Sequence, residues 1–186
     1  FSHDGIIWHR PERRAIIPTG PMGSGFEGGL YSQGGLLELP DGYWGIPFCG
    51  KIGQHNGFHH DRPESASPAQ IRWARWKPHR FCGVESDTEG RFTISTVKCS
   101  KKELRLNFRC GSGGWVKVEV RSAVPSRKFP DGEGAPGFTF EECDWLTGDS
   151  TDKVVYWKGR SDISSIGETV SIRLKLFPAK IFAYQV

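Results

Sequence analysis

From Val170 to Leu176 apolar and polar residues alternate without a break, Val170, Ile172, Leu174 and Leu176 against Ser171, Arg173 and Lys175. Successive side chains of a strand point to opposite faces, so this run buries its aliphatics together only as a strand with one dry and one wet face. The pattern recurs in Val116, Val118 and Val120 against Lys117, Glu119 and Arg121, and again in Leu104, Leu106 and Phe108. Strands of this kind belong to antiparallel sheets, whose second face can meet water. Further strands are expected at Phe81–Glu85, Arg91–Val97, Gly137–Phe140, Lys153–Trp157 and Lys180–Gln185, separated by breakers at Gly111–Gly114, Asp131–Gly134 and Gly167. No window carries a helical repeat. The expectation for residues 80–186 is an all-β, antiparallel β-sandwich, jelly-roll-like in its number of strands.

The first sixty residues read differently. Short strand-like segments at Gly5–Trp8, Phe26–Tyr31, Gly35–Leu39 and Tyr43–Phe48, with a tight turn at Pro40-Asp41-Gly42, suggest a β-meander over residues 1–60 resembling one propeller blade. A single blade cannot cover both of its faces, so we expect it to be completed by a second copy of the chain or by blades that it lacks. Residues 61–79, opening with Pro63, Ser65, Ser67 and Pro68, are expected to link the two parts. The chain starts on Phe1 inside what reads as a strand, as a piece of a longer protein would.

Composition narrows the function classes. The formal charge of +4 comes from 25 Lys and Arg against 21 Asp and Glu that are interspersed throughout, so no single-sign field of the kind a nucleic-acid binder needs is built. No stretch approaches the roughly 20 apolar residues of a spanning helix, which argues against a membrane partner. The five cysteines, Cys49, Cys82, Cys99, Cys110 and Cys143, form no CxxC pair. A Cys99–Cys110 bridge and free buried thiols both remain open.

Several short motifs resemble a known family. Ser2-His3-Asp4-Gly5-Ile6-Ile7-Trp8-His9-Arg10-Pro11 is similar to the S-x-DG-x-x-W-x-R segment of bacterial five-bladed propeller proteins related to glycoside hydrolase families 32 and 43, and Gly25–Leu30 with Leu36–Gly50 resembles the next blade. Arg80-Phe81-Cys82-Gly83-Val84-Glu85-Ser86 and Thr93–Lys98 resemble the start of their C-terminal sandwich, although Cys82 stands where an acidic residue is usual. Leu104–Asn107, Gly114–Val120, Glu142-Cys143-Asp144, Gly148-Asp149-Ser150, Val154–Gly159 and Ser161-Asp162-Ile163 follow the order of its later strands. The resemblance implies a carbohydrate ligand, a secreted or periplasmic parent, and a chain that contributes part of a sugar site and a stabilising sandwich. It also implies that the blades holding the nucleophile are missing, so these residues alone are not expected to form a complete hydrolase. The alternative is a non-catalytic carbohydrate-binding or structural β-sandwich.

Glycoside hydrolysis needs paired carboxyl groups. Glu27, among Gly25, Gly28 and Gly29 that would let a ligand approach, is the candidate acid or sugar-binding group, against the plainer reading of a charged residue at a strand end. Trp44 is the candidate sugar-stacking ring, whereas Trp115 and Trp157 lie in strand patterns and read as core or sheet-face residues. His55 and His59 are candidate hydroxyl-binding groups. With His60 and Asp61 they also form the densest set of potential metal ligands, but Gly57 opposes the helical turn that would align them, and no metal or other cofactor is expected. Arg72–Arg80 alternates cations with aromatics, which suits a junction with packed rings and solvated cations better than a single-stranded nucleic acid. Turns, rather than calcium loops, account for Asp131-Gly132-Glu133 and for Gly148–Asp152.

Overall fold

The computed structural model describes residues 2, 4–10, 13–53, 69–123 and 134–186. Among the described residues the chain is all-β and holds two antiparallel sheets, in keeping with a meander and a sandwich. It divides into two compact units, Phe1–Lys77 and Pro78–Val186, with one sheet in each.

In the first unit, β1 (Gly29–Ser32), β2 (Leu37–Glu38), β3 (Trp44–Lys51) and β4 (Ala69–Trp76) gather around β3. One side of β3 pairs along its whole length with β4, and the other is shared between β1, at Phe48–Lys51, and β2, at Trp44–Gly45. The β2–β3 turn closes as Pro40-Asp41-Gly42 demands. Gly42 takes φ +78°, its N–H donates to the Leu39 carbonyl at 2.9 Å, and Asp41 pairs with Arg75 of β4. Phe48 is the one large hydrophobic side chain buried among the described residues of this unit, packed edge-on against Phe26 at 5.7 Å.

Three expectations for this half are corrected. Residues 69–76 are a strand rather than part of a linker, because Ile71, Trp73 and Arg75 face one way and Arg72, Ala74 and Trp76 the other, in full register with β3. Cation-over-ring contacts do there what aliphatics do elsewhere: Arg72 lies 4.7 Å from the Phe26 ring and Arg75 4.6 Å from Tyr43. The Arg72–Arg80 stretch is therefore strand as far as Trp76 rather than junction throughout, and it passes from one unit to the next at Lys77–Pro78. Gly5–Trp8 is an exposed bend, whose Ile6 and Ile7 N–H groups donate to the Asp4 carboxylate at 2.8 and 2.9 Å instead of to a neighbouring strand.

The second unit is built on two long strands, β7 (Arg105–Ser122) and β9 (Thr169–Gln185). They pair along their length; β5 (Val84–Ser86) and β6 (Gly90–Lys98) flank β9, and β8 (Asp149–Val154) flanks the start of β7. The alternating aliphatics behave as their period requires. Val116, Val118, Val120, Val170, Ile172 and Leu174 are all fully buried in one core with Leu104, Leu106 and Phe108.

Midway, the expected breaker Gly111–Gly114 does not end a strand. It is a four-residue excursion of β7 lying opposite Pro178, between the pairs Cys110–Ala179 and Trp115–Phe177. Pro178 has no N–H to leave unpaired there. Gly113 takes φ +70°, and a Cβ on Gly114 would run into the Pro178 carbonyl oxygen.

The inner edge of β7 is completed without a regular strand. Val116 exchanges N–H and C=O bonds with Leu146, at 2.8 and 3.1 Å, and Val120 bonds to Phe138 and Ala135 at 3.0 and 2.9 Å. Between them Val118 is satisfied by side chains alone: its N–H donates to Cys143 Sγ at 3.2 Å, and its carbonyl accepts the Trp157 indole N–H at 2.9 Å. Gly137–Phe140, expected as a strand, is consequently a turn region that drops Phe138 into the core against Trp157, 5.3 Å away. Among the described residues the one helical element is a 3₁₀ turn at Ser164–Ile166.

Candidate functional site

The side of β7 and β9 that alternation turns away from the core carries a line of paired residues: Trp115 opposite Phe177, Lys117 opposite Lys175, and Glu119 opposite Arg173. Glu119 and Arg173 close on each other at 2.6 Å and cap one end. At the other end stands an aromatic cluster. Trp115 and Phe177 have centroids 6.3 Å apart and planes inclined by 37°, which makes a shallow double surface. Trp145 meets Trp115 at 5.1 Å and 89°, as an upright wall beside it.

Trp145 comes from the irregular segment after Cys143. It is aimed by the Val116–Leu146 bridge next to it and by the bond from the Asp144 N–H to the Tyr156 carbonyl at 2.8 Å. The ring is 61% exposed, and Phe177 is 38% exposed. Large apolar rings are normally buried, so two exposed rings on either side of the half-buried Trp115 mark a surface that meets something. Lys117 sits 4.3 Å from the Trp145 centroid, with its ammonium also donating to the Phe140 carbonyl at 3.1 Å. Lys175 lies 5.7 Å from Trp115 and 3.1 Å from Glu89. Each ring thus has an ammonium over it, that of Lys175 paired with Glu89 and that of Lys117 held by a backbone carbonyl.

This arrangement has a definite chemistry. An aromatic face is the negative side of the ring quadrupole and attracts weakly positive C–H groups, while the rim can hydrogen-bond. Flat molecules with apolar faces and polar edges fit that pattern.

The residues singled out from the sequence lie elsewhere. Glu27 is committed to its own loop: its carboxylate accepts the N–H of Gly25 at 2.7 Å and of Gly23 at 3.2 Å, and the Ser24 hydroxyl at 3.4 Å. Its own backbone N–H, and then those loop donors, hold the carboxyl below the usual glutamate range, the opposite of what a general acid needs. The neighbouring glycines also serve the chain itself. A Cβ on Gly28 would strike the Ile52 carbonyl, and one on Gly25 would lie 2.9 Å from the Gln70 amide.

Trp44 occupies the far end of β3 from the Gly28–Lys51 contact, opposite Trp76 and Glu38, so about 20 Å of strand separates it from the Glu27 loop. The two do not form one site. His55 and His59, with His60 and Asp61, lie outside the described residues, as does Asp131-Gly132-Glu133.

Asp149 and Asp152 are strand residues engaged by cations, Asp149 with Arg80 at 2.6 Å and Asp152 with Arg105 at 2.7 Å. Among the described residues no group of three or more His, Cys, Asp or Glu is placed to hold a metal ion. All five cysteines are free thiols, Cys82 exposed and Cys143 buried. No protein-family model, no curated protein and no solved structure matches this chain.

The sequence reading placed Trp115 among core or sheet-face residues, and it is a sheet-face residue; Trp157 is in the core. It missed Trp145 and Phe177. Phe177 offered one signal, being the residue at which β9 breaks its alternation just before Pro178. Trp145 offered none, since its place follows from pairing between segments far apart in the chain.

Proposed function

We propose that this chain is a non-catalytic carbohydrate-binding β-module of a glycoside-hydrolase-like protein, and that it holds glycan on the Trp115–Trp145–Phe177 surface. The carrying observation is the exposed aromatic corner: two inclined rings make a floor and a third a wall, rimmed by Lys117 and Lys175. A pyranose presents a face of axial C–H groups and a rim of hydroxyls, complementary to such a corner. The family resemblance supports the same ligand class. Against a catalytic role for Glu27 stands its carboxylate, which is consumed by its own loop and held below the usual glutamate range.

Calorimetric titration of the chain with a panel of soluble glycans tests the proposal. Binding without release of reducing sugar is expected, weakened at least tenfold by Trp145→Ala. Reducing-sugar release by this chain alone, or glycan binding indifferent to Trp145→Ala and Phe177→Ala, would sink it.

A further inference from the structure

A sheet is open to another chain along its outer strands, where N–H and C=O groups face outward in a row. Among the described residues most outer strands of this protein are blunted against that. β1, β2 and β5 hold only four, two and three residues, and β6 and β8 each slip register against their neighbour, β6 between Ile94 and Val97 with Thr96 at φ +57°. β4 is the exception. It runs eight residues in unbroken register with β3 and, among the described residues, pairs with β3 alone. That is an edge of about 27 Å. Its side chains are open too, Ile71 at 82% and Trp73 at 45% exposure.

Which backbone groups face outward follows from β3. The carbonyls of Pro47 and of Tyr43, just before the strand, accept the N–H groups of Gln33 and Leu39 on the β1–β2 side. The odd-numbered residues of β3 therefore turn their backbone that way, and the even-numbered ones turn theirs to β4. In register Ile46 meets Ala74 and Phe48 meets Arg72, so Ala74 and Arg72 bond inward. Ile71, Trp73 and Arg75 consequently present their N–H and C=O groups outward.

The side-chain order of β4 defines the occupant of this edge. Arg72-Trp73-Ala74-Arg75-Trp76 places a cation where its own reverse places a ring, and a ring where the reverse places a cation. Laid antiparallel on a second copy about a two-fold axis at Ala74, it sets Arg75 opposite the partner's Trp73 on one face and Arg72 opposite the partner's Trp76 on the other. The outward-facing Trp73 and Arg75 are then the hydrogen-bonded pair, and the small Ala74 meets its own copy at the close, unbonded position. An axis at Arg72 or Arg75 would set like charges opposite each other, and one at Trp73 would match no cation with a ring. The cations are already ordered over their own faces of the sheet. Arg75 lies over Tyr43 and pairs with Asp41, and Arg72 lies over Phe26 and donates to the Ser24 carbonyl at 2.7 Å. A facing indole thus meets them without further loss of side-chain freedom.

We propose that β4 is a homodimer interface, at which two copies join edge to edge about Ala74 and extend their four-stranded sheets into one. Of the two completions expected for the first unit, this order of side chains favours the second copy over missing blades.

Sedimentation velocity of the full chain at increasing concentration tests this. A dimer with a dissociation constant of about 1–100 µM is expected, as befits a small interface. Trp73→Arg, which sets a cation against the partner's Arg75, should weaken it at least about tenfold, whereas Trp73→Phe, which keeps a ring there, should stay within about threefold. Ala74→Cys is nearly isosteric and places two thiols at a Cα separation that suits a disulfide. Mild oxidation should link two chains through position 74, which peptide mapping separates from links through native thiols such as the exposed Cys82. Circular dichroism checks that each variant is folded. A monomer at every concentration up to about 200 µM, well above the expected constant, overturns the proposal and leaves the edge to a strand of another protein. So does a dimer indifferent to Trp73→Arg, or one that Ala74→Cys does not link through position 74.

Discussion

Replacing Trp157 by Phe should both unsettle the second unit and loosen the aromatic corner, because Trp157 stands in for a missing strand. Its indole is 1% exposed, and its N–H is the donor that answers the Val118 carbonyl at 2.9 Å. Phe keeps a ring in the core against Phe138 but leaves that carbonyl buried and unpaired, at a cost of about 1–3 kcal/mol. The smaller ring also leaves about 40 Å³ unfilled, worth about 1 kcal/mol at roughly 24 cal/mol per Å³. The sum, about 3 kcal/mol, is a large part of the stability of a domain of this size and should lower Tm by roughly 10–15 °C.

The consequence reaches the surface, because the Cys143–Trp157 bridge holds the segment that aims Trp145 at Trp115. Urea unfolding of wild type and Trp157→Phe, followed by circular dichroism, gives the stability. The indole N–H resonances of Trp115 and Trp145 in the native state report their contact. A loss below about 1 kcal/mol with both resonances unmoved would refute the argument that side chains replace the strand at Val118.

Further outcomes follow from single groups. Cys143 should resist alkylation at pH 8, because burial pushes its thiol up to about 11; mass spectrometry should find Cys82 labelled first and Cys143 only in denaturant. Glu27 should titrate below 4.5 by carboxyl carbon resonances, since the loop N–H groups favour its charged form. With the folded value depressed, its support for the loop is present above the ordinary pKa and is lost as pH falls through the folded one, so the loop amides of Gly23 and Gly25 should shift only in acid. A midpoint above 4.5 would reopen the general-acid reading. Gly114→Ala should cost about 2–4 kcal/mol in urea unfolding, since the added methyl meets the Pro178 carbonyl, whereas Gly148→Ala, with open space around it but φ +82°, should cost about 1 kcal/mol.

How much of this was legible in the sequence depended on whether the deciding contact was local. The sheet of the second unit was legible, because Val170–Leu176 and Val116–Val120 carry their burial in their own period. The continuity of β7 and β9 was not. Gly111–Gly114 and Pro178 each look like a terminator alone, and only their placement opposite one another turns two breaks into one bulge that both strands survive. β4 was hidden for another reason: its buried side lacks an aliphatic stripe and relies on Arg72 over Phe26, a pairing across 46 residues that no window can see.

The candidate sites divide along the same line. Glu27 and Trp44 drew notice through local composition, a carboxylate among glycines and a ring in a strand, and local structure explains them, the first as a loop cap and the second as a cross-strand neighbour of Trp76. The aromatic corner has no local sign. It exists because β7 must satisfy its inner edge at Val116, Val118 and Val120, and the segment that does so threads Phe138, Cys143 and Leu146 past that edge. Phe138, Cys143 and Leu146 are buried by that task, which leaves Trp145, between the last two, turned outward beside Trp115. The exposed indole is thus a by-product of edge satisfaction that a ligand can use, and a shift of that segment by one residue would bury Trp145 and expose Leu146 in its place.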